Sequence, residues 1–309
     1  MKLEGVHHIT AITGDAPANV EFYTGTLGLR MVKRTVNQDD PTVYHLFYGD
    51  EDGSPGMDLT FFEYPGAPAG RAGAGMIHRI LWRVASPEAL DFWEERLGSR
   101  GVEHRRSPDG LIFADGEGLE HELLISHAPD EPLAADSPEI PAEHALQGFE
   151  GARAYSAAPA HSERLLGALG FITTGEGSWE VRGAERGGTW AYDPPPAHSP
   201  LQGAGSVHHI AFASNIGEHA SWRARTIEGG AHPTPIIDRF YFRSIYFREP
   251  SGVLFEIATI GPGFAVDEDA SRLGEHLSLP PKFEPLREQL EATLTPIDYP
   301  PAWRLAGRP

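Results

Sequence analysis

The sequence predicts an α+β fold in which four βαβββ modules pair into two curved, barrel-like sheets. A strand-like segment with a double histidine, GVHHITAIT at 5–13, recurs as SVHHIAFAS at 206–214. Two fainter copies, which begin near residues 75 and 148, repeat the order of strand, helix, glycine stop and new strand. A single module would leave a bare strand edge and a half-covered face, so we expect the modules to pair.

Each copy begins with an alternating strand, continues into a helical pattern that ends near glycine, and is followed by short β-rich runs. The Pro-rich and acidic segment 128–147 is the predicted linker between two halves. We expect an N-terminal domain of residues 1–135 with modules 1 and 2. The C-terminal domain, residues 136–309, would contain modules 3 and 4 and a helical tail, with a helix over 283–294.

Composition excludes several classes of function. The chain has 309 residues and a net charge of −19, which disfavours binding to nucleic acid or an anionic membrane. It has no cysteine, so disulfides, iron–sulfur clusters and a thiol nucleophile are excluded. No apolar run is long enough for a membrane span, and no signal region is visible, so we expect a cytoplasmic protein. Exposed sheet edges permit a homo-oligomer without requiring one.

Strand alternation assigns one histidine of each double pair to the concave face of the sheet. His8 and Thr10 share one face of the first strand, and His209 lies on the corresponding face in module 4. Their neighbours His7 and His208 point to the opposite face. Packing alone does not require histidine at both equivalent positions, so the recurrence favours a shared chemical role.

A carboxylate completes this candidate site. Glu256 lies in mid-strand between Phe255 and Ile257, where an ionised side chain is costly unless it is paired or binds a cation. Two imidazoles and one carboxylate on a curved sheet form the facial triad that suits non-haem Fe(II) and leaves three coordination positions open. The predicted metal ligands are therefore His8, His209 and Glu256.

The middle modules lack this ligand set. They carry Arg79 and Gly151 at the histidine position, and Glu122, which aligns with the module 4 carboxylate, has no matching histidine pair. We therefore expect modules 1 and 4 to meet in space. In module 1 the equivalent of the carboxylate is Thr60, and Glu63 is out of register by an odd number of residues.

Two further residues are candidates for contact with a substrate. A hairpin on the EPSG turn would place Arg239 and Tyr246 beside the strand of the predicted carboxylate ligand. A phenol and a fixed cation there could hold an anionic, oxygen-rich substrate near the metal. Tyr44, His45 and Tyr48 are interpreted as strand-packing residues rather than cavity lining.

These residues lie in stretches that resemble a known family. LEGVHHITAITGDA, SVHHIAFA, DRFYFRSIYFREPSGVLFEIAT and GFAVDEDASRLGEHLSLPP occur in the order and spacing seen in the vicinal oxygen chelate superfamily (glyoxalase, bleomycin resistance and extradiol dioxygenase). More closely, the chain is similar to ring-cleaving dioxygenases that act on para-hydroquinones. The resemblance implies Fe(II) ligation by His8, His209 and Glu256. It also implies a catalytic and substrate-binding set of His7, Thr10, His208, Arg239 and Tyr246.

The resemblance further implies an extradiol-type, Fe(II)- and O2-dependent ring-cleaving dioxygenase acting on a dihydroxylated aromatic of hydroquinone or catechol type. Mn(II) is an alternative metal. His208 or His7 would act as acid–base, Tyr246 would hydrogen-bond a substrate oxygen, and Arg239 would stabilise its negative charge. The small aromatic diol and O2 would be the partners. Two alternatives stay open: a glyoxalase-type lyase or isomerase with Zn2+ or Ni2+, and a non-catalytic protein that binds an aromatic ligand.

Overall fold

The computed structural model describes residues 1–300 and confirms the predicted fold class. The strands form two eight-stranded mixed sheets, and the helices are few and short. The last nine residues of the predicted C-terminal domain lie outside the described range. No helix within residues 1–300 is long and apolar enough to span a bilayer.

The four modules each contribute four strands. Module 1 contributes β1 (Val6–Thr13), β2 (Arg30–Val36), β3 (Tyr44–Gly49) and β4 (Asp58–Glu63). Module 2 contributes β5 (Ile77–Val84), β6 (His104–Arg106), β7 (Gly110–Ala114) and β8 (Glu120–Ile125). Module 3 contributes β9 (Phe149–Tyr155), β10 (Ile172–Gly175), β11 (Ser178–Arg182) and β12 (Gly187–Asp193). Module 4 contributes β13 (Val207–Ser214), β14 (Ile237–Asp238), β15 (Arg243–Arg248) and β16 (Leu254–Thr259).

A helix follows the first strand of each module. These helices are α1 (Ala16–Val20), which continues as a π-helical segment Glu21–Thr26, α2 (Pro87–Ser99), α3 (Glu163–Ala168) and α4 (His219–Glu228). The predicted terminal helix appears as a 3-10 turn, Glu284–Leu286, followed by α5 (Arg287–Thr293). Helix α2 illustrates the local causes: the Ser86 side chain accepts a hydrogen bond from the Ala89 N–H at its start, and Gly101 takes a positive φ of 70° just after its end.

The sheets combine the modules in an order that differs from the expected grouping. The first sheet has the strand order β14-β15-β16-β13-β1-β4-β3-β2 and therefore joins module 1 to module 4. The second has the order β10-β11-β12-β9-β5-β8-β7-β6 and joins module 2 to module 3. Grouping modules 1 with 2 and modules 3 with 4 is thus wrong for the sheets. The boundary between residues 135 and 136, as a limit of separate folding units, stays a prediction.

The connections between the modules explain this pairing. The segments that join module 1 to module 2 and module 3 to module 4 run side by side, with bridges at Ala69–Ala204 and Arg71–Leu201. An extended chain advances about 3.3 Å per residue, so connections of this length reach the other sheet easily. Neighbours in sequence therefore need not share a sheet, and the free first-strand edges decide the partners: β1 pairs antiparallel with β13, and β5 with β9.

The C-terminal segment covers the outer edge of the first sheet. Leu277 forms a bridge with Arg34 on the edge strand β2. The fully buried Lys33 ammonium donates to the Asp267 carboxylate at 2.8 Å and also bonds Glu268. Phe264 packs against a buried cluster on the sheet with Phe47, Tyr241 and Phe242. This segment therefore closes the apolar part of the first sheet and leaves a cavity beside the double-histidine strands.

Candidate metal centre and adjoining cavity

Three predicted ligands meet on the three central strands of the first sheet. His8 lies on β1, His209 on β13 and Glu256 on β16, and these strands are direct neighbours. The His8 Nε2 atom lies 3.2 Å from His209 Nε2 and 3.2 Å from Glu256 Oε2. His209 Nε2 lies 3.0 Å from the same carboxylate oxygen. All three side chains are buried and offer one ligand atom each to a common point.

The donor set fits a divalent cation. Glu256 Oε2 is buried and has no hydrogen-bond partner among the described residues, although two imidazole nitrogens lie beside it. Cis ligands about 2.1 Å from an octahedral ion lie about 3.0 Å from one another, which agrees with the separations at this site. Two nitrogens and one oxygen are ligands that Fe(II) accepts. Metal ligation by His8, His209 and Glu256 stays a prediction that this geometry supports.

His7 determines which nitrogen of His8 faces the site. His7 Nε2 lies 3.2 Å from the Thr259 carbonyl, which can only accept a hydrogen bond, so His7 carries its proton on Nε2. Burial lowers the pKa of His7 to about 3, so its Nδ1 is a bare acceptor. That atom lies 3.0 Å from His8 Nδ1, which must therefore donate, so Nε2 is the ring nitrogen of His8 that can offer a lone pair to the site.

His209 is held by comparable contacts. Its Nδ1 lies 2.8 Å from Nδ1 of His208, which is exposed. On the other side, Thr10 Oγ1 lies 3.0 Å from His209 Nε2 and accepts a hydrogen bond from the Thr60 hydroxyl at 2.8 Å. Thr10 is thus beside the ligand atoms, whereas His7 and His208 contact the far side of the ligand rings.

The carboxylate is oriented by a residue that sequence reasoning missed. The buried Ser244 hydroxyl on β15 donates to Glu256 Oε1 and leaves Oε2 directed at the two imidazoles. Burial acts to raise the pKa of Glu256, but His8 and His209 outweigh it and hold that pKa well below its usual range. Nothing in the sequence distinguishes Ser244 from other strand serines, because its role depends on the register of β15 with β16.

A cavity opens beside the two imidazoles of the candidate site. Its walls come from both modules of the first sheet and combine aromatic with polar side chains. The lining comprises His8, Thr35, Val36, Asn37, Gln38, Asp39, His45, Phe47, Phe62, His209, Arg239, Tyr241, Phe242 and Tyr246. Tyr44 and Tyr48 are buried strand residues as expected, but the interpretation of His45 as strand packing is wrong because it lines this cavity and lies 2.9 Å from the Thr60 hydroxyl.

Arg239 and Tyr246 both line the cavity, and they contact each other. Arg239 Nε donates to the Tyr246 hydroxyl at 3.3 Å, and the Tyr246 ring stands edge-on to His209 with ring centres 5.8 Å apart. Burial, with Glu256 nearby, raises the pKa of Tyr246, so its hydroxyl keeps its proton. The guanidinium of Arg239 is already paired with Asp39, at 2.9 and 2.8 Å, and is therefore not a free cation.

The second sheet has an ion pair where the first sheet has its candidate metal centre. The register places Leu81 opposite Gly151 as it places Thr10 opposite His209, so Arg79 takes the position of His8. Arg79 Nη1 donates to Glu122 Oε2 at 3.1 Å, and Ser107 donates to Glu122 Oε1 at 2.7 Å. This contact leaves the Glu122 carboxylate satisfied by a guanidinium, and the absence of metal binding in the middle modules stays a prediction.

Proteins of known family align with this chain along nearly its whole length. The model of the glyoxalase/bleomycin resistance protein/dioxygenase superfamily matches residues 5–118. MhqA of Bacillus subtilis, named as a ring-cleaving dioxygenase, is 39% identical over 96% of this chain and 100% of its own length. A chlorohydroquinone/hydroquinone 1,2-dioxygenase of Sphingobium indicum is 32% identical over 95% of this chain and 96% of its own.

Solved structures agree with this assignment. A dioxygenase of Bacillus subtilis superposes with a TM-score of 0.90 at 38% identity, covering 97% of this chain and 99% of that one. Glyoxalase I of Zea mays has a TM-score of 0.57 at 14% identity over 83% of this chain and 92% of its own, and this likeness concerns the fold alone. The chain therefore belongs to the glyoxalase/bleomycin resistance protein/dioxygenase superfamily. Within it, the full-length relatives described above are named as dioxygenases.

Proposed function

We propose that this chain is a ring-cleaving dioxygenase that uses Fe(II) and O2 to open a dihydroxylated aromatic ring of hydroquinone or catechol type. The observation that carries the proposal is the convergence of His8, His209 and Glu256 beneath an aromatic-lined cavity. A ligand set of two imidazoles and one carboxylate leaves three positions for exogenous ligands. The name of the Sphingobium relative supports a hydroquinone as the substrate.

The bound ion would supply two kinds of chemistry. A ferrous ion at these ligands supplies Lewis acidity towards phenol oxygens and the electrons that allow a closed-shell ring to react with O2. Mn(II) is the alternative that the same ligands would accept. The oxygen-rich end of the substrate would then lie near the ligand atoms, while Phe47, Phe62 and Phe242 enclose the ring and exclude water.

Individual side chains take separate roles in this proposal. The Tyr246 hydroxyl, which keeps its proton and is positioned by Arg239 Nε, would donate a hydrogen bond to a substrate oxygen. The Thr10 hydroxyl, which lies 3.0 Å from His209 Nε2, would hydrogen-bond polar groups that bind beside the metal-ligand atoms. His7 does not line the cavity, so we assign it the positioning of His8 rather than acid–base work on the substrate. His208 positions His209 in the same way.

The lyase or isomerase alternative is less well supported by the geometry. That chemistry usually requires a fourth protein ligand, and the equivalent position in module 1 is Thr60, paired in register with Thr10. The nearby Glu63 carboxylate instead accepts a hydrogen bond from the Ala16 N–H at the start of α1. Within residues 1–300, the group of possible metal-binding residues found at this site contains one carboxylate.

The decisive experiment loads the purified protein with Fe(II) under anaerobic conditions. We expect about one iron per chain, and O2 uptake that depends on hydroquinone or catechol. Glu256→Gln should lose most of the bound iron, because the remaining two imidazoles cannot complete the site. The matched control is Glu122→Gln, the equivalent carboxylate of the second sheet, which should keep its iron. Full iron loading without O2 uptake on any diol would refute the proposal, as would stoichiometric iron in Glu256→Gln.

A further inference from the structure

The charge at the mouth of the cavity is the feature that the proposed reaction does not use. Among the described residues that line the cavity, Arg239 is the one lysine or arginine. Its Nη1 and Nη2 atoms donate to the two carboxylate oxygens of Asp39 at 2.9 and 2.8 Å, and its Nε donates to Tyr246. Each of its three nitrogens therefore already has a hydrogen-bond partner, two of them on a single carboxylate.

The two residues come from opposite walls of the cavity. Asp39 lies in the connection between β2 and β3 of module 1, and Arg239 follows β14 of module 4. The Arg239 side chain is 16% exposed, whereas that of Asp39 is 72% exposed. The carboxylate thus lies on the solvent side of the guanidinium, across the route by which an anionic group would reach it from outside.

The loop that carries Asp39 is organised to present it. The Asp39 N–H donates to the Asn37 side-chain oxygen at 3.0 Å, and Gln38 Nε2 donates to the Arg239 carbonyl at 2.5 Å. The next residue, Asp40, is directed elsewhere: its carboxylate accepts hydrogen bonds from the backbone and hydroxyl of Thr42 at 3.2 and 2.6 Å. Two adjacent acidic residues at the same mouth therefore differ in their contact with the cavity cation.

The remaining walls offer no second lysine or arginine to an anion. Val36, Phe47, Phe62 and Phe242 are apolar. An anionic substituent at the mouth would be desolvated beside the Asp39 carboxylate, while the guanidinium is already paired. An uncharged ring substituent meets no such penalty.

We propose that Asp39 is a specificity-determining residue, which pairs with Arg239 and so makes the cavity select diols with uncharged ring substituents over diols with carboxylate or other anionic substituents. The identity of the substrate as an aromatic diol rests on the proposed function, but the charge selection does not depend on turnover. Asp39 acts through Arg239, so its removal should matter only while that cation is present.

The first test measures binding to the metal-free, full-length protein by calorimetry, so that a carboxylate cannot be captured by a metal. The probes are 4-hydroxybenzoate and the uncharged 4-hydroxybenzyl alcohol. Asp39→Asn should raise the affinity for 4-hydroxybenzoate relative to the alcohol at least tenfold. Asp40→Asn removes the same charge one residue away and should leave the ratio unchanged. Asp39→Asn combined with Arg239→Gln should return the ratio to the wild-type value.

The second test compares kcat/KM of the Fe(II)-loaded protein for hydroquinone and 2,5-dihydroxybenzoate, where Asp39→Asn should shift the ratio towards the carboxylated ring by a similar factor. Three results would overturn the inference: no gain in 4-hydroxybenzoate binding in Asp39→Asn, an equal gain in Asp40→Asn, or a gain that survives loss of Arg239. Absence of turnover with any diol would refute only the proposed function. The ratio of the affinities for 4-hydroxybenzoate and 4-hydroxybenzyl alcohol would still decide the role of Asp39.

Discussion

At the scale of single residues, the two histidines of each pair differ in role: one faces the candidate metal centre and the other contacts its ring. His8 offers its Nε2 lone pair to the site because its other nitrogen, Nδ1, donates a hydrogen bond to His7, and His208 contacts His209 at the equivalent nitrogen. For His8 the arrangement extends to the Thr259 carbonyl, which requires a proton on His7 Nε2. A contact to a backbone carbonyl on β16 therefore decides which nitrogen of a side chain on β1 is available as a ligand.

The consequence for metal affinity can be measured. His7→Leu should weaken Fe(II) binding by about 10–100-fold, because His8 loses the acceptor that holds its ring and tautomer. Competition against a chelator measures the change. The matched control is His78→Leu, at the equivalent position of β5, where the imidazole bonds Asp193 at 2.8 Å. Iron affinity in His7→Leu equal to that of the wild type, with circular dichroism unchanged, would contradict the positioning role.

At the scale of strands, the same framework surrounds a carboxylate differently in the two sheets, with two imidazoles in the first and a guanidinium in the second. In the second sheet, strands β5 and β8 place the Arg79 guanidinium against Glu122. At the equivalent place in the first sheet, β1, β13 and β16 converge on the candidate metal centre. A side chain could not replace Gly151, because a Cβ there would lie 2.0 Å from the Thr189 carbonyl oxygen. The second sheet therefore has no space for a ligand side chain at the position that corresponds to His209.

This ion pair should contribute to stability rather than to metal binding. Arg79→Met should lower the free energy of unfolding by about 2–4 kcal/mol, since it leaves the buried Glu122 carboxylate without its cation. Arg79→Met with Glu122→Met should recover part of the loss because both charges are removed. Urea denaturation measures both, and iron stoichiometry should stay at the wild-type level. A single variant that is less damaging than the double would contradict this account.

At the scale of the whole molecule, a buried hydrogen-bonded cluster joins the two sheets. The Tyr23 hydroxyl of module 1 donates to Asp115 at 2.8 Å and lies 3.1 Å from His121 Nε2, and Trp82 donates to His121 Nδ1. Burial lowers the pKa of His121 from 6.5 to about 3. The unfolded chain therefore binds a proton between these values that the folded protein does not bind, and stability falls as the pH falls.

The pH dependence of unfolding tests this linkage. Below pH 6.5, each pH unit should lower the free energy of unfolding by about 1.4 kcal/mol, because folding keeps His121 neutral. This continues until the pH approaches the folded pKa of about 3. His121→Gln should reduce the slope of unfolding free energy against pH by up to that amount between pH 6 and 4. Tyr23→Phe removes a hydrogen bond but no titrating imidazole, so it should lower stability and keep the His121 contribution to the slope, while the pKa of Asp115 rises. An unchanged slope in His121→Gln would contradict the prediction.

Much of the candidate site could be predicted from local pattern. Alternation along a strand and the repeat of the double histidine place His8 and His209 on one face, and Glu256 is conspicuous in an apolar strand. Arg239 and Tyr246 were placed beside them by a turn signal. His45 and Ser244 were missed because each depends on the register between strands, and strand registers between distant segments leave no trace in local periodicity.

Local sequence pattern accounts for the repeated module, the face of each first strand and the candidate metal ligands, because these follow from side-chain alternation within one segment. Tertiary contacts alone establish how modules 1 and 4 join, through β1 and β13, and that Asp39 on one wall neutralises Arg239 on the other. They also place a guanidinium against the carboxylate of the second sheet, where the first sheet has two imidazoles. Those outcomes depend on which free strand edges meet and on how loops far apart in sequence pack, and both are settled by contacts between segments rather than within them.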